Sequence, residues 1–181
     1  MAHQEQKDFC KYVSEKHPSS FNNVKVLDVG SLDVNGNNKW LFSESSYTGI
    51  DIDEGPNVNV VSKGHEFDAP DQSFDTIIST ECFEHDMFYG KTLMNIVRML
   101  RPGGMFLFTC ATTGRPEHGT RTHDRGSAPL LKDDWADYYK NLTEKDVRDA
   151  INVDDIFSEY EFKVNTSSKD LYFWGIKKPS N

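Results

Sequence analysis

The stretch Val24-Lys25-Val26-Leu27-Asp28-Val29-Gly30-Ser31-Leu32-Asp33-Val34-Asn35-Gly36 decides how this chain folds. An apolar run ending in Asp28-Val29-Gly30 and a small residue reads as a buried parallel strand feeding a loop that cradles a nucleotide. A second apolar run, Tyr47-Thr48-Gly49-Ile50-Asp51, closes on a carboxylate 21 residues after Gly30. That spacing fits a strand, a short helix and a return strand whose acidic tip reaches a ribose diol. Together the two runs point to an adenosine-containing ligand.

Upstream, Phe9, Tyr12 and Val13 recur at helical spacing among charges until Pro18, predicting an amphipathic helix laid on the sheet. Downstream, Lys39 to Glu44 reads as a short helix and Val58 to Val61 as a third strand. Ser73 to Thr80, rich in β-branched residues, reads as a fourth strand buried on both faces. Leu93, Ile96, Val97 and Leu100 mark a helix that Pro102-Gly103-Gly104 stops, and Met105 to Cys110 is a fifth strand. Residues 111–136 hold many turn formers and no period; a loop of that length in a compact domain is usually functional. Thr143 with Asp146 predicts a capped helix through Ile151. Two strands, Phe157 to Val164 and Leu171 to Ile176, flank so short a turn that they must be antiparallel.

The predicted architecture is therefore α/β: three layers, Rossmann-like, with a mostly parallel seven-stranded sheet closed by a C-terminal antiparallel hairpin strand. Residues 1–181 read as one domain: an N-terminal helix in 1–18, a ligand-binding core in 24–110, a substrate-side loop in 111–136, and a helix with hairpin in 143–177. The net charge of −9 argues against a nucleic-acid polyanion as partner. No apolar run reaches the roughly 20 residues of a membrane span, and the polar start Met1 to Asp8 is not that of a signal peptide. Cys10, Cys82 and Cys110 are scattered, which fits reduced thiols in a cytoplasm and predicts neither a disulfide framework nor a metal site. Oligomeric state is left open.

With these residues in order, the chain resembles the class I S-adenosylmethionine-dependent methyltransferases of the small type without an appended domain, over residues 24 to 177. Asp28-Val29-Gly30 is similar to the opening of the family's first loop, and Asp51 to its second-strand acid. Ser73-Phe74-Asp75 with Ile77-Ile78 and Glu84-His85 resembles its fourth-strand signature, and Leu100-Arg101-Pro102-Gly103-Gly104 its corner before the fifth strand. The departure is the loop itself, where Leu32 and Val34 stand in place of further glycines and Asn35-Gly36 comes slightly later.

The resemblance implies S-adenosylmethionine as cofactor, with S-adenosylhomocysteine as product. Asp28 is then expected to help hold the methionine ammonium, its plainer alternative being to accept loop amides. Asp51 would accept the ribose hydroxyls or, failing that, cap a turn. Gly30, Ser31, Leu32 and Asn35 would cradle the ligand, Ile52 would pack on the adenine, and Gly64 and His65 would lie at its edge. Thr80 and Glu81, ending the fourth strand, should meet the cofactor at the sheet edge where open α/β sheets bind ligands. Cys82 and Phe83 read as core and Asp53 as solvated.

For the acceptor, Gly114 to Arg125 concentrates Arg and His in an acidic protein and follows the fifth strand. This predicts either a solvated loop or a lid over a small anionic or sugar-like substrate. Arg115 and Arg121 are the candidate anchors, and Tyr138, with Trp135 and Tyr139, a candidate pocket floor or packing residue. His118 and His85 are the candidate catalytic residues, His85 having packing as its alternative. Two other readings stay open: a non-catalytic scaffold that has lost its cofactor, and a small NAD-dependent oxidoreductase. The second is disfavoured by the missing G-x-G-x-x-G and by the terminal hairpin. The acceptor atom, and any need for a general base, are not readable from the sequence.

Overall fold

The computed structural model describes residues 3–180; readings placed on Met1, Ala2 and Asn181 lie outside them. Its strands are β1 (Lys25–Val29), β2 (Ser46–Asp51), β3 (Val60–Val61), β4 (Phe74–Thr80), β5 (Leu100–Ala111), β6 (Phe157–Asn165) and β7 (Asp170–Lys177). They form a seven-stranded sheet in the order β3-β2-β1-β4-β5-β7-β6. The first five are parallel, while β7 runs antiparallel to both β5 and β6. The predicted hairpin thus exists, with its second strand inserted beside β5.

Period-two alternation sorts the strand residues onto two faces. Val26, Ile78, Met105, Leu107 and Trp174 bury on one side, against Phe9, Cys10 and Val13 of helix α1 (Gln4–Lys16). Leu27, Ile77, Phe106, Phe108 and Phe173 bury on the other. There they meet α2 (Tyr89–Met99) and α3 (Glu144–Ala150) through Leu93, Ile96 and Val147. A short helix α4 (Val153–Ile156) leads into β6. Three layers follow, as the alternation predicts. Tyr12 departs from the predicted apolar stripe: it is exposed, and its hydroxyl donates to Glu161.

Connections between parallel strands are leaner than predicted. The expected helix over 39–44 is a single 3-10 turn, Lys39–Leu41, and the third strand shrinks to two residues. No helix occupies residues 62–73, so α2 supplies the one full crossover helix of the parallel half. Pro102-Gly103-Gly104 does not separate helix from strand. The helix ends at Met99, and β5 runs through the Pro-Gly-Gly segment with a register shift opposite Phe74 and Thr76. Gly103 takes φ +73°, the backbone freedom such a bulge uses.

The capping box at α3 forms as predicted: Thr143 Oγ1 accepts from the Asp146 amide, and Asp146 Oδ2 accepts from the Thr143 amide. The long loop 111–136 contains 3-10 turns at Arg125–Ser127 and Asp133–Asp137. Asp53 is solvated as expected, and Lys132 pairs with it at the surface. Among the described residues no helix is long and apolar enough to cross a membrane.

Candidate active site

The C-terminal ends of β1, β2 and β4 open into a cleft of about 930 Å³, including its mouth, with residues 127–135 forming the opposite wall. Every expected cofactor-contact residue except His65 lines it. His65 turns aside, its ring packing 4.5 Å from Phe88 and 6.4 Å from Trp135. Ser62, which the sequence did not single out, lines the cleft instead.

Asp28 is buried at the tip of β1. Its Oδ2 accepts the Tyr47 hydroxyl, and Asn57 Nδ2 donates to Tyr47 Oη in turn at 3.1 Å. Oδ1 is buried with no hydrogen-bond partner. Burial, aided by the Asp51 charge and opposed by Tyr47, pushes this carboxyl up to about 7. A buried acceptor left open toward a cleft is costly unless a ligand donor meets it.

Asp51 accepts the Leu32 amide at 3.0 Å on Oδ2 and the Ile52 amide at 2.8 Å on Oδ1. Burial raises its carboxyl while the two amides hold it down. Each oxygen keeps a further lone pair for a ligand hydroxyl.

The glycine-poor loop reaches its shape by side-chain bracing. Ser31 Oγ donates to Asn57 O, and Asn57 Nδ2 donates to Ser31 O, both at 2.8 Å. Asp33 accepts the Gly36 amide at 2.6 Å and Asn37 Nδ2 at 2.7 Å. Leu32 packs so closely on Gly55 that a Cβ there would lie 2.4 Å from its Cδ1. Close backbone approach is kept where it matters: Gly30 has φ +79°, and a Cβ on it would sit 2.4 Å from Cys82 Sγ. Cys82, read as core, is therefore a cleft-wall residue pressed on the loop.

On the β4 side, Asn38 Nδ2 donates to Thr80 Oγ1 at 2.8 Å while the buried Gln6 of α1 donates to Asn38 Oδ1 at 3.2 Å. Glu81 adopts φ +53°, accepts Thr109 Oγ1 at 2.9 Å on Oε1, and leaves Oε2 buried without a partner. His3 lies 3.1 Å from Asp170 and 3.6 Å from Glu81.

The two candidate catalytic histidines come together, with their rings 5.0 Å apart and Tyr139 beside both. Burial pushes His85 down to about 3, and burial also lowers His118. The fully buried Glu84 lies 3.9 Å from His118 and is pushed up by burial to about 8. A histidine so desolvated is a poor proton acceptor at neutral pH.

The other acceptor-side candidates do not converge on the cleft. Arg115 Nη1 donates to Asp170 at 2.7 Å and to Ser168 O at 2.9 Å. Arg121 pairs with Asp137 at 2.9 Å on the exposed surface. Tyr138 is partly buried near Tyr89 and Asp86 and does not line the cleft. Both arginines are already neutralised by acids of their own chain, so neither presents a free charge to an anion. Trp135, with Leu130 and Leu131, does reach the cleft wall. Tyr47, Asn57 and Asn38 were missed at the sequence level, because their roles depend on partners 10 to 42 residues away.

The sequence matches the family described as "Methyltransferase domain" over residues 1–153. The fold aligns with Burkholderia thailandensis 1,6-didemethyltoxoflavin-N1-methyltransferase, solved with 1,6-didemethyltoxoflavin and S-adenosylhomocysteine. The TM-score is 0.65 and the identity 17%, over 96% of this chain and 78% of that one. Haemonchus contortus phosphoethanolamine N-methyltransferase 2, solved with S-adenosyl-L-methionine, aligns with TM-score 0.63 and 14% identity over 96% and 53% of the two chains. The [4+2]-cyclase SpnF aligns with TM-score 0.61 and 13% identity over 96% and 82%. At such identities these likenesses speak for the fold. No curated protein matches the chain. The chain belongs to the methyltransferase-domain family, with the fold of the class I S-adenosylmethionine-dependent methyltransferases.

Proposed function

We propose that this protein is an S-adenosylmethionine-dependent methyltransferase acting on a small-molecule acceptor. The observation that carries this reading is the pairing of two acids in one cleft. Asp28 has a buried oxygen without a partner, and Asp51 is braced by two amides with lone pairs to spare. An ammonium group answers the first, and a vicinal diol the second. The cofactor supplies an activated methyl group on a sulfonium sulfur when bound.

The chain's own residues then bind and orient. Asp28 holds the ammonium, with Tyr47 fixing its second oxygen. Asp51 takes the ribose hydroxyls, Ile52 and Gly64 flank the base, and Gly30 allows the backbone to come close. Transfer depends chiefly on placing the acceptor in line with the methyl group. Neither His85 nor His118 serves as proton acceptor in this reading, because burial disfavours the charged imidazolium.

The acceptor faces Leu130, Leu131 and Trp135, a wall suited to an aromatic ring or to the CH face of a sugar. With Arg115 and Arg121 paired internally, an anionic group is not what this wall selects. Calorimetric titration with S-adenosylmethionine tests the reading: micromolar binding is expected. Silence with that ligand would leave a scaffold, and binding of NADH in its place would mark an oxidoreductase.

A further inference from the structure

Glu84, His85 and His118 make a second chemical cluster that the reading above leaves without a task. One ligating atom from each lies within 4.8 Å of the others, and Glu84 Oε1 is 3.9 Å from His118 Nε2. Glu84 is fully buried, and neither of its oxygens makes a hydrogen bond of normal geometry, although the amides of Glu84 and Ala111 lie near. His85 is also buried, and neither ring nitrogen has a partner. Four buried polar atoms on two adjacent residues are thus unsatisfied, where native interiors leave very few.

His118 is the oriented member. Its Nδ1 lies 3.0 Å from Pro116 O, so Nδ1 carries the hydrogen and Nε2 turns its lone pair toward Glu84. A backbone carbonyl fixing the far nitrogen is the usual second shell of a metal-bound imidazole. Gly119, with φ +68°, seals the other side: a Cβ there would lie 2.7 Å from His85 Cε1. The other histidine–acid cluster, His3 with Glu81 and Asp170, differs in already holding a fixed counter-charge, since Arg115 pairs with Asp170. Among the described residues no Lys or Arg side chain lies within ion-pair distance of Glu84.

We propose that Glu84, His85 and His118 bind one divalent transition-metal ion of the zinc type, beside the cleft wall that His85 shares. Two imidazoles and one carboxylate are a recognised donor set for such ions, and three protein ligands leave a coordination position open. Bonds of about 2.0–2.2 Å place tetrahedral ligand atoms about 3.4 Å apart, so the side chains close by about 1.4 Å at most. The ion answers the Glu84 carboxylate and one ring nitrogen of His85 together, which no single hydrogen bond does.

The test titrates Co2+ into the full chain after chelator treatment, without methyl donor, and follows the visible ligand-field band. A single saturating equivalent, displaced by Zn2+, is expected. His118→Gln, on a surface loop and checked for native far-UV circular dichroism, should weaken Co2+ binding more than about 100-fold, since even outer-shell losses cost 10–100-fold. His3→Gln should leave it unchanged. A folded wild-type protein with no band overturns the proposal, as does a band that survives His118→Gln or disappears with His3→Gln. Because no methyl donor is present, the outcome is independent of the methyltransferase reading.

Discussion

The Tyr47 hydroxyl, on β2, donates to Oδ2 of Asp28 on β1 and leaves Oδ1 of the same cleft-lining carboxylate buried without a partner. A residue that looks like a strand aromatic therefore favours the ionised form of the acid expected to grip the methyl donor, against the burial that disfavours it. Burial holds Asp28 up to about 7, so the acid ionises as pH rises through neutrality. Affinity for S-adenosylmethionine, measured by calorimetry, should rise between about pH 6 and 7.5. Tyr47→Phe removes the hydrogen bond that favours the ionised form and should move this rise to higher pH. A pH-independent affinity in the wild type would rule out the role given to Asp28.

Asp51 carries the second contact. Replacing it with Ala removes the acceptor for two hydroxyls and the brace on Leu32, a loss of about 1.5–3 kcal/mol for hydrogen bonds to a charged group. Cofactor affinity should fall about 10- to 100-fold, and the melting temperature should fall as well, because the Leu32 and Ile52 amides lose their acceptor. Equal affinity in wild type and Asp51→Ala would place the ribose elsewhere.

Gly30→Ala tests the close approach of loop to cleft wall. A Cβ at φ +79° is strained, and its clash with Cys82 Sγ forces the loop outward. A destabilisation of about 1–3 kcal/mol is expected, read as a fall of several degrees in melting temperature, together with weaker cofactor binding. A fully stable Gly30→Ala protein with unchanged affinity would contradict the packing seen here.

His3 makes stability depend on alkaline pH. Burial disfavours its charge, but hydrogen bonds and charges from Asp170 and Glu81 prevail and raise it to about 10. A base raised above its unfolded value near 6.5 stabilises fully below that pH and progressively loses the contribution toward 10. The melting temperature should therefore decline over that window, and His3→Gln should flatten the decline. The Arg115 guanidinium, which also faces Asp170, stays charged throughout and does not generate the slope.

Arg115 and Arg121 should behave differently when cut to Ala. Asp170 is wholly buried, and losing Arg115 strips it of a charged partner, with an expected cost of about 2–3 kcal/mol. Arg121 and Asp137 are both exposed, so Arg121→Ala should shift the melting curve by less than about 1 kcal/mol. If Arg121→Ala instead weakened acceptor binding selectively, the loop would have the anion-binding role its composition invites.

The elements that carry the cofactor cleft were legible in the sequence because they are short-range patterns. Apolar runs ending in Asp28 and Asp51, the β-branched fourth strand and the closing hairpin each write their burial into short, near-continuous apolar runs bounded by turn residues. The acidic tips then follow from strand order alone. Tertiary structure alone settled which oxygen of Asp28 is satisfied, how Ser31 and Asn57 brace a loop short of glycine, and where the arginines of the long loop spend their charge. It also decided that His118 meets Glu84 and His85. These are contacts between residues far apart in the chain, whose partners depend on how β2, β5, β7 and the loop over the cleft pack together, and no local periodicity records that.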